Sequence, residues 1–541
     1  MALAARPYKF LPACVIIFFF SFSFLSAGEK RGQAEVAGRY FDWAQKAVDE
    51  GRLTEALAAL ERGADYGDVS SDISYLLALV RLRLNLPHKE TLKALETALE
   101  AGRWKNYSPG DARLLEAGIL IILKRYGDAL GILALLPESP QKAALRLRAL
   151  GFLPNIAEFH SYMEETLDRY PRDTEHAEIF FTFIKKERDA GRFPQGNEMA
   201  LLSLLLKRLP VLLIDKPDLA WMAAPFVRDK EEAGRLVAAY RAANTPAAAS
   251  LPPALNLGII DEETAIGELF APQDASPPSL DKALLGEIRD LIRNDMGHAL
   301  FRRNLYAWSG VITEDSSGDG VAEASALYYK GLLTAYSWDE DQDGLPELSI
   351  EAEAGDLRKA EISPPGITVL WEQYPSVMEA HLKDERFFPR PRDFHYSPVS
   401  FEEIAGNGIV FPKLDPSQAA LTRRTLTAWA SRVERPSREF LEAVETVRLE
   451  RSIPIEAWEY LNGRLVSQTD FLRGRPIAQR IDLDLDGRLE TFRRFKHFTG
   501  APGVDLQEKE TLLDYSREID YAESDWDGDG IFEIREYNEN G

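Results

Sequence analysis

Hydrophobic residues in the first half of the chain recur with helical spacing. From about Gly38 onward Ala, Leu and charged residues dominate. In the stretch Tyr40 to Ala64, the residues Tyr40, Trp43, Ala44 and Ala47, then Leu53, Ala56 and Leu60, fall three or four apart on two stripes separated by Gly51. That spacing predicts two amphipathic helices joined by a tight turn. Ala117, Leu120, Tyr126, Ala129 and Leu133 repeat the offsets of Ala44, Ala47, Leu53, Ala56 and Leu60. A further copy closes at Leu167 and Pro171, and residues 71–102 and 176–209 read as degenerate units. The pattern predicts roughly four to six units, enough to bury a continuous core between neighbours.

The periodicity fails near residue 241. Ala242-Ala243-Asn244-Thr245-Pro246 and Ala271-Pro272-Gln273-Asp274-Ala275-Ser276-Pro277-Pro278 punctuate the chain, as turn-forming residues do. Leu280 to Leu305 then reads as one amphipathic helix. Beyond about Trp308 the pattern becomes alternating. Trp458-Glu459-Tyr460-Leu461, Asn462-Gly463 and Arg464-Leu465-Val466 form a hairpin signal, because Asn-Gly supplies both positive-φ residues of a type I′ turn. The expected fold is α+β and multidomain. A helical solenoid over 28–240 is followed by a Pro/Ala-rich connector and helix over 241–300. A β-rich, mostly antiparallel region covers 301–541.

The helical units resemble the tetratricopeptide repeat (TPR). That family places a bulky residue early in its first helix, a small residue one turn later, Gly near the turn, and Ala where the two helices cross. Tyr40, Trp43, Ala44, Ala47, Gly51, Ala56 and Gly63 fit this pattern. Small residues are needed there because each unit nests against the next. The resemblance covers roughly residues 38–210 and implies a concave surface that binds a protein or peptide partner. It implies no catalysis, and the consensus positions are structural, so no peptide-binding residue carries over.

Four acidic loops interrupt the β-rich half. They run from Asp315 to Glu323, Asp339 to Glu347, Asp482 to Glu490 and Asp525 to Glu533. The shared pattern is D-x-D-x-D-G-x-x-E, with Ser317 replacing the middle Asp in the first copy. The candidate metal ligands are therefore Asp315, Ser317, Asp319 and Glu323; Asp339, Asp341, Asp343 and Glu347; Asp482, Asp484, Asp486 and Glu490; and Asp525, Asp527, Asp529 and Glu533. Alternate carboxylates converge on one hard cation when the backbone curls around it, and Gly at the sixth position permits the sharp turn. Six to eight oxygens at flexible geometry suit Ca²⁺ better than Mg²⁺. An EF-hand needs its bidentate Glu at position twelve, where two of the loops carry Ile350 and Arg493. The loops instead resemble those of FG-GAP propeller repeats, and more loosely those of thrombospondin type 3 and dockerin modules. The resemblance implies structural Ca²⁺. Lys330-Gly331 leads to Asp339 at the offset by which Arg473-Gly474 leads to Asp482, which defines a unit of turn, strand, acidic loop and strand. The irregular spacing of the copies argues against a regular propeller.

Composition narrows the function. Asp plus Glu number 87 against 64 Lys plus Arg, for a net charge of −23. Such a balance disfavours wrapping nucleic acid and gripping anionic lipid. The lone cysteine, Cys14, excludes disulfide scaffolds and zinc ribbons. Arg6 and Lys9, the apolar run from Leu11 to Leu25 and the small residues of Leu25-Ser26-Ala27 form a signal-peptide pattern over 1–27. The run is shorter than the ~20 residues of a membrane span. Export into a bacterial envelope, to the periplasm or cell surface, is expected. No P-loop, G-x-S-x-G or H-E-x-x-H motif occurs, and the seven His show no metal-ligand spacing, so no catalytic residue is nominated. The expected function is an envelope scaffold or adhesion protein. The alternative is a glycan-processing hydrolase or a carbohydrate-binding protein.

Overall fold

A computed structural model of the chain describes residues 35–541 apart from 67–69, 193, 246, 272–276, 391–393, 407, 416–420, 497–512, 514–517, 526, 528–530 and 538–541. The signal-peptide pattern over 1–27 lies outside the described residues. The chain divides into two compact units. One comprises Met1–Ile259 with Ser317–Val321 and Asp341–Leu345. The other comprises Ile260–Ser316, Ala322–Glu340 and Pro346–Gly541.

The first unit is built from helical hairpins. Helix α1 spans 35–49. It is followed by α2 (Leu53–Ala64), α3 (Ser71–Arg83), α4 (His88–Ala101), α5 (Pro109–Ile122), α6 (Tyr126–Ala134), α7 (Pro140–Gly151), α8 (Ile156–Arg169), α9 (Thr174–Asp189) and α10 (Asn197–Asp215). Shorter helices α11 (Leu219–Ala223), α12 (Lys230–Ala243) and α13 (Leu251–Asn256) complete it. The small residues of the first repeat lie at the crossing. Ala44, Ala47, Ala56 and Leu60 are fully buried, as are Ala117, Ala129 and Leu133 of the later copy. A Cβ added to Gly63 would stand 3.1 Å from the Cβ of Tyr40, so the close approach of α1 and α2 depends on a residue without one.

Four joints between paired helices share one backbone solution. Gly51, Asn85, Lys124 and Gly191 each adopt a left-handed conformation, with φ of 75°, 52°, 57° and 78°. At each joint the following residue donates its N–H to the carbonyl five residues back: Arg52 to Ala47, Leu86 to Arg81, Arg125 to Leu120 and Arg192 to Glu187. This is the hydrogen bond that closes a Schellman cap. The α7–α8 joint departs from the pattern because Pro154 occupies the matching position. Proline has no N–H to donate. A second device holds the loop between α4 and α5. Asp72 is 2% exposed, and its carboxylate accepts the backbone N–H groups of Lys105, Asn106 and Tyr107 and the Asn106 side-chain amide.

The second unit opens with α14 (Glu262–Leu269), strand β1 (Ser279–Asp281), α15 (Lys282–Leu291) and α16 (Asp295–Ala307). The single helix expected over 280–305 is thus two. Asp281 caps α15 through the N–H of Leu284, and Asn294 caps α16 through that of Gly297. Two N-caps so placed stop and restart the helix. A long sheet follows: β2 (Gly310–Glu314), β3 (Ala324–Tyr329), β4 (Leu332–Trp338), β5 (Leu348–Glu353), β6 (Asp356–Ile362), β7 (Ile367–Gln373), β8 (Ser376–Leu382) and β9 (Glu385–Pro389). A hairpin of β10 (Val399–Glu403) and β11 (Val410–Leu414) and helix α17 (Arg423–Trp429) intervene. The sheet then resumes with β12 (Ala430–Pro436), β13 (Val444–Glu450), β14 (Ile453–Leu461), β15 (Arg464–Leu472), β16 (Arg475–Ile481), β17 (Thr491–Phe495), β18 (Ile519–Ser524) and β19 (Ile534–Tyr537). Strand β1 lies parallel to β2. Every later pairing is antiparallel, and β9 pairs with β12 so that the meander continues past the excursion. Residues 363–455, which the sequence did not assign, supply β7 to β13.

Alternating burial explains the sheet. Along β3, Ala324, Ala326 and Tyr328 are buried while Leu327 and Tyr329 are exposed, as period-two strands require. The hairpin at Asn462-Gly463 has φ of 52° and 81°, the conformation of a type I′ turn. Lys330-Gly331 and Arg473-Gly474 adopt nearly the same angles, 49° and 71° against 54° and 80°. The internal alignment of these two stretches is therefore a structural repeat.

Candidate metal centre

Strand parity gathers the acidic loops. The loops follow β2, β4, β16 and β18, and an unbroken antiparallel meander connects these strands. Strands two apart in such a meander run the same way, and the β9–β12 pairing preserves the parity. All four loops therefore leave the same rim of the sheet.

The loops are alike at atomic detail. In each described case the second residue donates its N–H to the closing Glu: Ser316 to Glu323 at 2.8 Å, Glu340 to Glu347 at 2.8 Å and Leu483 to Glu490 at 2.9 Å. The fifth-position Asp accepts the N–H two residues on: Val321 to Asp319, Leu345 to Asp343 and Arg488 to Asp486. The sixth-position glycines Gly320, Gly344 and Gly487 have φ of 91°, 87° and 102°, a region that favours residues without a Cβ. The fourth position is left-handed too, at Gly318, Gln342 and Leu485. Three different residue types hide that requirement in the sequence. Backbone bonds also link the loops in neighbouring pairs. Asp339 donates its N–H to Glu323 O at 2.8 Å, and Asp525 donates to Glu490 O at 3.1 Å.

The ligand sets differ. In the third loop Asp482, Asp484, Asp486 and Glu490 each place an oxygen within 4.8 Å of the others. Asp482 is fully buried and accepts the N–H groups of Asp486 and Gly487. The second loop brings together Asp339, Asp341 and Glu347, and the fourth Asp525, Asp527 and Glu533. Asp529 lies outside the described residues. Asp315, Asp319 and Glu323 of the first loop do not form such a group among the described residues.

Inside the first unit, Lys89 pairs with the carboxylates of Asp343 and Asp341. These contacts raise the pKa of its ammonium, the Asp343 hydrogen bond most of all. Asp343 thus serves a lysine where its counterpart Asp486 stays within the acidic group. Lys186 donates to the backbone carbonyl of Ser317 at 2.7 Å. The sequence offered no signal for either lysine, since both belong to helices far away along the chain. A cavity of about 310 Å³ in the same unit is lined by Lys89, Leu92, Lys93, Glu96, Leu123, Arg125 and Asp341.

The arrangement suits a hard cation held by oxygens. Outside the loops, the conspicuous buried charges are structural. Arg435 donates to the Glu445 carboxylate at 2.8 Å across the β12–β13 pairing and to Leu513 O at 2.9 Å. His381 Nε2 lies 3.0 Å from Glu379, while His395 forms a bridge with Ser376, so these two histidines make no joint site.

No protein-family model matches the chain. An uncharacterized protein of Treponema pallidum (strain Nichols) is 21% identical over 597 aligned residues, spanning 87% of this chain and 74% of that one. Solved structures similar to this chain include the TPR protein YrrB, described as having an unusual peptide-binding site, at 18% identity over 36% of this chain and 97% of that one (TM-score 0.28). A tetratricopeptide repeat protein of Parabacteroides merdae is 13% identical over 50% and 99% (0.33). PilF of Pseudomonas aeruginosa is 15% identical over 50% and 98% (0.27). The TPR-like description of the helices rests on the joints and buried small residues described above. Among the described residues no helix is long and apolar enough to cross a membrane.

Proposed function

We propose that the chain is an exported scaffold of a bacterial envelope, in the periplasm or at the cell surface. Its helical repeats bind a protein or peptide partner, and its sheet is stapled along one rim by Ca²⁺. The carrying observation is the convergence of Asp482, Asp484, Asp486 and Glu490 within 4.8 Å, repeated in part by two more loops on the same rim. Carboxylates this close repel one another without a cation, and a hard ion relieves the repulsion while closing the turn. The N-terminal charge and hydropathy pattern supports export. Repeated helical hairpins support partner binding, because stacked units present a continuous ligand face. Ions that lock hairpins fit a protein with a single cysteine, which cannot staple its turns with disulfides.

Calorimetry of the full chain in millimolar Ca²⁺ and in chelator tests the ion reading. Ca²⁺ is expected to raise the unfolding midpoint, and the combined substitution Asp482→Asn, Asp484→Asn and Asp486→Asn is expected to remove much of that rise. An unchanged midpoint in the wild-type chain would end the calcium reading. Affinity capture by the full chain, repeated after Trp43→Ala and Tyr66→Ala at exposed aromatics of the helical unit, tests the partner reading. Capture that survives every such substitution counts against it.

A further inference from the structure

The first acidic loop has Ser317 where the third has Asp484, and its carboxylates do not gather as those of the third do. A residue of the second loop reaches into this gap. Gln342 is only 2% exposed. Its Nε2 donates to Asp319 Oδ1 at 3.3 Å and to Val321 O at 3.0 Å, both in the first loop. Its Oε1 is buried and has no hydrogen-bond partner among the described residues. A buried amide oxygen left unsatisfied costs about 1–3 kcal/mol, so a group that satisfies it has a clear advantage. The equivalent of Gln342 in the third loop is Leu485, which is 40% exposed and reaches nothing comparable. The third loop already holds four carboxylates of its own.

We propose that Gln342 is a cation ligand of the first loop, lending its amide oxygen in place of the carboxylate missing at Ser317. The proposal rests on the calcium reading of the loops. The amide nitrogen keeps its bonds to Asp319 Oδ1 and Val321 O, and the buried oxygen beside it coordinates a cation shared with the first loop, which satisfies the atom left without a partner. Amide carbonyls are ordinary Ca²⁺ ligands. The first loop is then a composite site that cannot bind without the second, whereas the third is self-contained. The shared bond from Asp339 N–H to Glu323 O holds the two loops in the register this requires.

Titration calorimetry of the full chain with Ca²⁺ tests this. Gln342→Leu is expected to lose one bound Ca²⁺ relative to wild type. Asp319→Asn should lose the same one, and the double variant should lose no more than either. Gln342→Glu places a carboxylate at the same point. It should keep the full count and bind the affected ion about tenfold more tightly. Melting in chelator shows whether each variant is folded, and Gln342→Glu carries the test if Gln342→Leu is not. A full count in folded Gln342→Leu, or unchanged affinity in Gln342→Glu, overturns the proposal. Asp484→Asn separates the two readings. If it loses an ion while Gln342→Leu does not, only the role of Gln342 falls. If the wild-type chain takes up no Ca²⁺, the calcium reading falls and this one with it.

Discussion

In the helical unit, the joint at Gly51 is closed by the backbone alone. Arg52 donates to Ala47 O at 2.8 Å, and the helices on either side meet through buried Ala44, Ala47 and Ala56. At the rim of the sheet, the turn at Gly487 is closed by side-chain charge. Asp482, Asp484 and Asp486 accept the N–H groups of residues 486 to 488. Both joints place a glycine at positive φ, yet they draw on different forces. The first depends on shape and on the absence of a Cβ, so the solvent's ions hardly enter. The second concentrates negative charge at one point and links the turn's stability to the cations around it. Two repeat architectures in one chain should therefore answer different perturbations.

The largest expected separation is in the response to Ca²⁺. A site filled at a hundred times its dissociation constant stabilises the folded state by about 2.7 kcal/mol. For a unit of ~250 residues each kcal/mol moves the midpoint by roughly 2–4 °C. With several sites on the rim, the sheet's transition should shift by about 10 °C or more between Ca²⁺ and chelator, while that of the helical unit, which holds only the tips of two loops, should shift by less. Calorimetry resolves the two, and equal shifts in both would erase the distinction. Next in size is Asp72→Ala. It leaves the N–H groups of residues 105–107 without their acceptor, at about 1–3 kcal/mol for a buried unsatisfied group. The helical transition alone should fall, equally with and without Ca²⁺. Gly63→Val should cost about 1–3 kcal/mol by overpacking, since the new side chain must enter the 3.1 Å gap to Tyr40. A loss that depended on Ca²⁺ would show that the two halves are not independent in this sense.

The parts of the fold that were legible in the sequence are those where one residue type has one physical use. Ala44, Ala47 and Ala56 marked the helix crossing because small residues let one helix nest closely against the next. The D-x-D-x-D-G-x-x-E loops were legible because carboxylates two apart with a following glycine have few other purposes. Legibility failed where several residues meet the same demand. Asn85 occupies the left-handed position that Gly51 announces, so the unit at 71–102 looked degenerate, and Lys124 hides the same joint in the copy that follows it. The fourth loop position is left-handed whether it holds Gly318, Gln342 or Leu485. The break between α15 and α16 was hidden because the apolar spacing continues through Asn294, whose capping role shows only in its bond to Gly297. Long-range partners such as Lys89 on Asp343 leave no local trace at all.

The smallest predicted effect tests the helical joint most directly. Lys124 takes the left-handed conformation, φ 57°, that Gly51 and Gly191 occupy at matching joints. A residue with a Cβ pays roughly 1–2 kcal/mol for that region, whereas glycine enters it freely but loses more entropy on folding. The two terms oppose each other, and glycine's prevalence at this cap position says that relief of strain prevails. Lys124→Gly should therefore stabilise the helical unit by about 0.5–1 kcal/mol, raising its midpoint by a few degrees and leaving the sheet's Ca²⁺-dependent transition unmoved. Lys124→Ala supplies the control, since it keeps the Cβ and the strain while removing the charge. If it stabilises as much as Lys124→Gly, the gain comes from removing the lysine, and the joint is not closed by backbone conformation in the way the comparison with the rim requires.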